Sequence, residues 1–173
     1  MNGAKFFIVG ILGSALVAGA AMYYLQVYAF YEELTEDEVV LTSYVGTTDP
    51  LIVDNFRGID SDSSPIRYRA CFDVQMSIAT LTETFVIYDN PEPLVAPGWF
   101  DCFDAEAVGI ALESGTAFAF MGRENITYGV DRVVAVMPDG SAVSWHQLNI
   151  CGERVFDGDP APDTCPPAPE RLQ

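Results

Sequence analysis

The sequence predicts an α+β fold: one N-terminal transmembrane helix, then a small domain with a mainly antiparallel sheet and about two helices. Two observations support this fold class. An uncharged apolar run lies near the N-terminus, and short apolar stretches separated by turn-forming residues fill the rest of the 173-residue chain, which is long enough for one domain with its own core. The predicted parts are an anchor with a short extension (1–34), a juxtamembrane linker (35–65), the α+β domain (66–156) and a proline-rich tail (157–173).

The predicted anchor runs from Phe6 to Tyr31 without a charged residue or a proline. A helix needs about 20 apolar residues to cross the hydrocarbon core of a bilayer, and a continuous helix satisfies its own backbone there. Lys5 precedes the run, whereas acidic residues follow it from Glu32 onward. This asymmetry predicts a cytoplasmic N-terminus and a C-terminal domain across the membrane. A cleaved signal peptide is the alternative, but the apolar run continues beyond the candidate cleavage site at Ala18–Ala20.

Small residues recur along this predicted helix. Gly10, Ser14 and Ala18 lie four residues apart, and Ala15 and Gly19 form a neighbouring pair. Such spacing places small side chains on one stripe, where a second helix can approach closely. Small residues are also common in transmembrane helices in general. We expect the stripe to pack against a helix of another membrane protein.

The part of the chain beyond the anchor is strongly acidic. All 25 Asp and Glu residues follow the anchor, the basic residues there are arginines only, and the formal net charge of the chain is −17. Such a surface repels nucleic acid and attracts cationic proteins. We therefore expect no nucleic-acid partner, and a basic c-type cytochrome is a partner that this charge would suit. The simpler interpretation is that acidity keeps the domain soluble.

Four cysteines, Cys71, Cys102, Cys151 and Cys165, all lie beyond the anchor. An even number in an exported domain predicts two disulfides, with three possible connectivities. We favour Cys71–Cys102 and Cys151–Cys165, because the second bond would attach the proline-rich tail to the domain. No CxxC motif or Cys/His cluster occurs, and His146 is the only histidine. We therefore expect no metal and no cofactor.

The domain is predicted element by element from periodicity and from turn residues. The elements are a strand (66–74), a helix (76–84), a short strand (85–88), a helix (105–114), a strand (116–121) and a hairpin (130–150). The first strand alternates, with Tyr68, Ala70 and Phe72 on one face. Gly115 is the predicted stop of the second helix, and 138–140, Pro-Asp-Gly, is the turn of the hairpin.

Arg57, Arg67 and Arg69 form the densest basic cluster in this acidic chain. Arginines can bind a carboxylate or a phosphate through two parallel hydrogen bonds. In a chain so rich in Asp and Glu, pairing with acidic neighbours is the more common use of such side chains. A small-anion site is therefore kept as an alternative function.

Two further features resemble functional sites, the loop 60–64 and His146. Residues 60–64 alternate oxygen-bearing side chains as calcium loops do, but the Gly and the Glu that an EF-hand requires are Pro65 and Cys71 here. His146 could act as a general base, and Ser144 shares its predicted strand face. No nucleophile motif surrounds Ser144, so we interpret His146 as a histidine on the sheet surface and expect no catalytic residue.

Several stretches of the sequence carry a resemblance. They are YLQVYAFY (24–31), SPIRYRACF (64–72), APGWFDCF (96–103), VSWHQ (143–147) and CG (151–152). In these stretches the chain resembles a family of single-pass proteins of unknown function from alphaproteobacteria related to purple photosynthetic and denitrifying bacteria. The resemblance covers most of the chain and implies a bacterial inner membrane with the domain in the periplasm. It implies no activity and no catalytic residues.

The sequence as a whole favours a non-catalytic accessory or assembly subunit of an inner-membrane complex. Among such complexes we expect a respiratory one, of the cytochrome oxidase or bc1 type, because an acidic periplasmic face would attract a basic cytochrome. The alternative function is a free envelope sensor that binds a small anion through the three arginines.

Overall fold

The computed structural model describes residues 3–169, and the chain falls into two compact units that meet at Glu32 and Glu33. The secondary-structure elements, in chain order, are α1 (Gly3–Val27), β1 (Glu32–Leu34), β2 (Val40–Thr42), β3 (Thr48–Pro50), β4 (Val53–Asp60), β5 (Arg69–Val74), α2 (Ile78–Thr84), α3 (Ala105–Glu113), β6 (Phe118–Thr127), β7 (Val130–Val136), β8 (Ser141–Leu148) and α4 (Ile150–Phe156).

Helix α1 makes up most of the first unit. Its segment Lys5–Val27 spans 23 residues with a mean hydropathy of 2.0, which is long and apolar enough to cross a membrane. The hydroxyl of Ser14 donates to the carbonyl of Ile11 at 3.0 Å, so this polar side chain is satisfied within the helix. The helix ends at Val27, earlier than the predicted extension to residue 34, where β1 is found instead.

The described part of the chain contains a six-stranded sheet of order β1-β4-β5-β8-β7-β6 and a separate pair, β2-β3. The pairs from β4 to β6 are antiparallel, which confirms the predicted α+β class with a mainly antiparallel sheet. Strands β7 and β8 pair without a break in register from Val136 opposite Ala142 to Val130 opposite Leu148. Gly140 in the connecting turn has a φ of 89°, a conformation that glycine adopts without strain.

Both faces of the sheet are covered. On one face, the α2 face, β5 and β7 pack against α2 and β2 in a cluster that includes Tyr68, Phe72, Leu81 and Val134. The opposite face, the α3 face, carries Trp145 and the loop before α3. Side chains alternate along a strand, so neighbouring residues of β5 enter different cores.

Residues 35–65, predicted as a linker, contain β2, β3 and β4 instead. Strand β4 lies beside β5 in the main sheet, and the second compact unit begins at Glu33 rather than at residue 66. The alternation of β4 is broken by a register shift between Asp54 and Arg57, where Asn55 has a φ of 53°. This irregularity is a β-bulge, and it conceals the strand from a pattern with period two.

Helix α4 was not predicted, and the predicted strand to residue 150 ends at Leu148. The side chain of Asn149 caps α4 by accepting from the N–H groups of Cys151 and Gly152 at 3.0 and 3.1 Å. Gly152 lies against Gly129, where an added Cβ on Gly129 would fall 2.4 Å from the Gly152 Cα. A side chain on Gly129 would therefore displace α4 from the sheet.

The structure contains two disulfides, with the connectivity favoured above. Cys71–Cys102 joins β5 to the loop before α3, and Cys151–Cys165 joins α4 to the tail. From residue 157 to residue 169 the described tail contains turns but no helix or strand. The last four residues of the predicted tail lie outside the described residues.

Candidate functional site: the Arg132 cluster

A group of largely buried polar side chains occupies one end of the sheet on the α2 face. Strands β7 and β8 place Arg132 and His146 directly opposite each other. Tyr68 immediately precedes β5 and contacts both of them. Asp37, in the segment between β1 and β2, completes the group through Arg132. We refer to Asp37, Tyr68, Arg132 and His146 as the Arg132 cluster.

The guanidinium of Arg132 is the centre of this cluster. Its Nη1 donates to Oδ2 of Asp37 at 2.7 Å, and its Nε donates to Nε2 of His146 at 3.0 Å. Its Cζ lies 4.0 Å from the centre of the Tyr68 ring, which is the geometry of a cation–π contact. The side chain of Arg132 is 11% exposed. The guanidinium is therefore largely buried, its charge is balanced by a carboxylate, and it stacks on an aromatic ring.

The ring of His146 is buried and both of its nitrogens are in contact with protein atoms. Nδ1 lies 2.8 Å from the carbonyl oxygen of Pro65. A carbonyl only accepts, so we assign the ring proton to Nδ1, which leaves Nε2 as the acceptor for Arg132. The ring also stacks on Tyr68 with centroids 4.6 Å apart. The structure thus corrects the interpretation of His146 as a surface histidine, because loop and strand neighbours cover the strand at this point.

Burial controls the protonation of the cluster. Burial, followed by the adjacent charge of Arg132, lowers the pKa of His146 from 6.5 to about 4, so the ring is neutral at pH 7. Burial also raises the pKa of the Tyr68 phenol and that of the nearby Asp60 carboxyl. At neutral pH the imidazole of His146 and the phenol of Tyr68 are therefore both uncharged.

A polar cleft of about 540 Å³ opens beside the cluster. Arg132 and His146 line one side, and the loop from Asp60 to Pro65 lines another. Within that loop, Ser61 accepts a backbone hydrogen bond from Ser63, and Asp60 accepts one from Ser61. The side chains considered above as calcium ligands therefore take part in a local turn. Among the described residues, no group of three or more His, Cys, Asp and Glu side chains is placed to hold a metal ion.

The contacts of His146 decide whether its ring is placed to act as a general base. A general base needs a ring nitrogen within hydrogen-bond distance of the group that it deprotonates. Here one nitrogen faces Arg132 and the other faces Pro65. Ser144 is fully buried and donates its hydroxyl to the carbonyl of Val133 at 2.9 Å. In this arrangement the histidine and the serine of β8 are engaged with other groups.

The three arginines predicted as a possible anion site have separate surroundings. Arg57 forms an exposed ion pair with Asp101 at 3.0 Å, whereas Arg69 is buried on the α3 face. Arg67 is half-buried just before β5. Arg69 donates at 2.6–2.8 Å to three main-chain carbonyls, those of Ile66, Tyr68 and Leu94. The guanidinium groups of Arg57 and Arg69 thus bind different partners inside the domain.

The predicted helix-packing residues all lie in α1 and are exposed in the isolated chain: Gly10, Ser14, Ala15, Ala18 and Gly19. A Cβ added to Gly10 or to Gly19 would have no neighbour within 4 Å. These two positions therefore have room for the close approach of another helix.

Sequence reasoning missed both the Arg132 cluster and a second buried network around Asp131. Oδ1 of Asp131 accepts from the backbone of Asn125 at 2.9 Å and from Asn149 at 2.8 Å, and Oδ2 accepts from Tyr88 at 3.2 Å. This network holds the β6–β7 turn to the start of α4. One signal for the Arg132 cluster was available, because the register of the predicted hairpin places residues 132 and 146 opposite each other.

Comparison with known proteins gives a family and no function. No curated protein and no solved structure matches this chain. Residues 39–166 match a family model described as a family of unknown function, DUF6446. The matched region covers most of the chain, from the residue before β2 to the residue after the last cysteine. The protein is therefore a member of the DUF6446 family.

Proposed function

We propose that the protein is a membrane-anchored, non-catalytic accessory or assembly subunit of a protein complex in the bacterial inner membrane. The observation that carries this proposal is the apolar surface of α1. Large side chains along the helix are well exposed, among them Phe7 at 77% and Leu16 at 74%. Such a surface requires lipid or another apolar helix around it, and the small side chains at Gly10 and Gly19 provide a place for a helix.

Two features support a periplasmic domain. Its two disulfides suit an oxidising compartment. Lys5 lies before the apolar segment and the acidic residues lie after it, which favours a cytoplasmic N-terminus.

A non-catalytic role is supported by the hydrogen bonds of the buried polar side chains, which are made to other groups of the domain. The histidine and the central arginine of the Arg132 cluster bind each other, and Arg69 is saturated with carbonyl oxygens. An active site instead needs polar groups that are positioned to meet a substrate.

The acidic domain favours a basic partner, and we propose a c-type cytochrome of a respiratory complex as that partner. The formal charge of −17 would accelerate association with a cationic protein. The test is binding of a purified basic cytochrome to the protein in detergent at increasing salt concentration. Affinity that falls steeply with salt supports this partner; absent or salt-independent binding contradicts it.

The subunit proposal is tested by purifying the full-length tagged protein from native membranes in mild detergent. Mass spectrometry should find one membrane complex in stoichiometric amount. Replacement of Gly10, Ser14 and Ala18 by Leu should abolish the co-purification, because the larger side chains prevent close helix packing.

The matched control replaces Val9 and Ala20 by Leu, which lie about 140° and about 120° around α1 from Ser14 because successive residues are about 100° apart around a helix. This control should retain the complex. Recovery of the protein alone, or equal loss with both sets of substitutions, would contradict the proposal. Recovery alone would also turn attention to a free envelope domain that binds a ligand.

A further inference from the structure

The segment of residues 35–38, which we call the strap, joins β1 to β2 and contains neither helix nor strand. Two arginines of neighbouring strands hold it. Arg132 of β7 binds Asp37 at 2.7 Å, and Arg123 of β6 lies 3.5 Å from Glu38. The two arginines are directly opposite each other in the sheet.

These two ion pairs differ in their surroundings. The side chains of Arg132 and Asp37 are 11% and 27% exposed, whereas those of Arg123 and Glu38 are 45% and 70% exposed. An exposed ion pair contributes little because water and salt screen it. The pair between Arg132 and Asp37 is therefore the main side-chain attachment of the strap.

The position of Arg132 depends on His146. The Nε–H of Arg132 points at the unprotonated Nε2 of the ring, while Nδ1 is occupied with Pro65. A proton added to the ring can bind only at Nε2. Two N–H donors and two positive charges would then face each other across 3.0 Å.

We propose that the Arg132 cluster is an acid-sensitive latch, in which uptake of a proton at Nε2 of His146 displaces Arg132 and releases the strap from the sheet. Release would also present Arg132, no longer neutralised by Asp37, to the adjacent polar cleft. The latch rests on the contacts within the domain and is independent of the proposed subunit role.

Charged and titratable groups reach His146 from every element around it. They are Asp37 of the strap, Asp60 of β4, Tyr68 before β5, Arg69 of β5 and Arg132 of β7. The carboxylate of Asp37 favours the protonated ring, and the two arginines disfavour it. Burial is the largest influence, and with Arg132 it lowers the pKa to about 4.

Release of the strap gives the ring access to water, where its pKa returns to the ordinary value of about 6.5. The open form therefore binds the proton more tightly than the closed form. By linkage, the ratio of open to closed strap rises by about tenfold for each pH unit between about 6.5 and 4. Between pH 7 and pH 5, where most carboxylates stay ionised, we expect a rise of about twentyfold.

The experiment uses the full-length protein in detergent and follows backbone amide exchange of residues 33–42 by mass spectrometry. Exchange rates at pH 7, 6 and 5 are corrected for the intrinsic effect of pH. Wild-type protein should lose protection by about twentyfold, and His146→Gln should show no such loss, because glutamine accepts from Arg132 but does not titrate. Equal loss in both proteins, or constant protection in the wild type, would overturn the proposal.

Two controls separate the latch from general effects. Arg123→Gln removes the exposed pair with Glu38 and should leave the response to pH unchanged. Since a substitution at a buried histidine can disturb the fold, the wild-type ring is also followed by NMR. The chain has one histidine, so a tag without histidine gives a single set of ring signals. A ring that is neutral with its proton on Nδ1 at pH 7 and becomes charged as the strap loses protection in acid supports the latch. A ring that is charged at pH 7, or that becomes charged while the strap stays protected, overturns it.

Discussion

The two buried arginines of the sheet are satisfied in different ways. On the α3 face, Arg69 binds main-chain carbonyls and lies over the ring of Phe103 with its Cζ 5.6 Å from the centroid. On the α2 face, Arg132 binds the side chains of Asp37 and His146. Carbonyl groups do not titrate, whereas carboxylate and imidazole do. The contacts of Arg69 thus persist across the pH range, whereas the contacts of Arg132 depend on pH.

The comparison shows that burial alone does not define the role of a charged side chain. Arg69 holds the loop before α3 against the sheet, since the carbonyl of Leu94 is among its acceptors. Arg132 holds a segment far away in sequence through groups that can change charge. The following variants test this difference.

The largest effect is expected for Arg69→Met. The substitution leaves at least three buried carbonyls without their charged donor and should lower the free energy of unfolding by about 3–5 kcal/mol. The loss should change less between pH 7 and pH 5 than the loss from removal of Arg132, because the carbonyl partners do not titrate and Arg69 lowers the pKa of His146 less than Arg132 does. Denaturant unfolding of the full-length protein in detergent, followed by tryptophan fluorescence with the disulfides intact, measures both values.

Arg132→Met is the matched variant on the other face. Without the neighbouring positive charge, the pKa of His146 should rise toward its ordinary value. The stability lost in this variant should therefore be smaller at pH 5 than at pH 7. Identical losses at the two pH values would remove the distinction between the two arginines.

The next largest losses of stability are expected when the disulfides are removed, and the two bonds should differ in how much they contribute. Cys71–Cys102 has a sequence separation of 31 and Cys151–Cys165 one of 14. Loop-closure entropy gives losses of about 3.7 and about 3.0 kcal/mol when each pair is replaced by Ala. The first bond also attaches the loop that Arg69 holds, so its loss should add to that of Arg69→Met by less than the full amount. Unfolding of the single and combined variants measures this coupling.

The pH dependence of wild-type stability should report His146. Its pKa of about 4 in the folded protein lies below the ordinary 6.5, so the unfolded chain binds more protons between these values. Stability is therefore highest above pH 6.5 and falls as the pH decreases toward 4, by about 3 kcal/mol in total. The His146→Gln variant should lack this loss of stability at low pH. A wild-type protein with constant stability from pH 7 to pH 5 would contradict the assignment.

The smallest effect is expected for Glu38→Gln. The pair with Arg123 is exposed, so the free energy of unfolding should change by less than about 0.5 kcal/mol. Asp37→Asn removes the buried counterpart and is the direct comparison. A larger effect from Glu38→Gln than from Asp37→Asn would mean that the strap is held mainly by its exposed end.

Local signals predicted much of this fold. Gly115 follows the end of α3 as predicted, and the predicted turn at 138–140 lies between β7 and β8. Turns and caps depend on residues near in sequence, so they are visible in the chain itself. Strand β4 was missed because its bulge at Asn55 interrupts alternation.

The candidate site was less visible because its parts are distant in sequence. Arg132 and Asp37 are 95 residues apart, and neither has a neighbour that points to the other. The hairpin register could have paired Arg132 with His146, but the burial of His146 depends on the loop at Pro65. The three arginines attracted attention by their closeness in sequence, although Arg57 and Arg69 bind different partners.

The connectivity of the disulfides has a consequence for biogenesis. Each bond joins cysteines that are consecutive in the chain, so the loops neither cross nor nest. Synthesis from the N-terminus presents Cys71 and Cys102 before Cys151 and Cys165, and pairing in order of emergence gives the native bonds. Maturation should then require an oxidant but no reshuffling enzyme. Unchanged yield of the oxidised protein in cells without a disulfide isomerase is the expected result; accumulation of mispaired species there would contradict it.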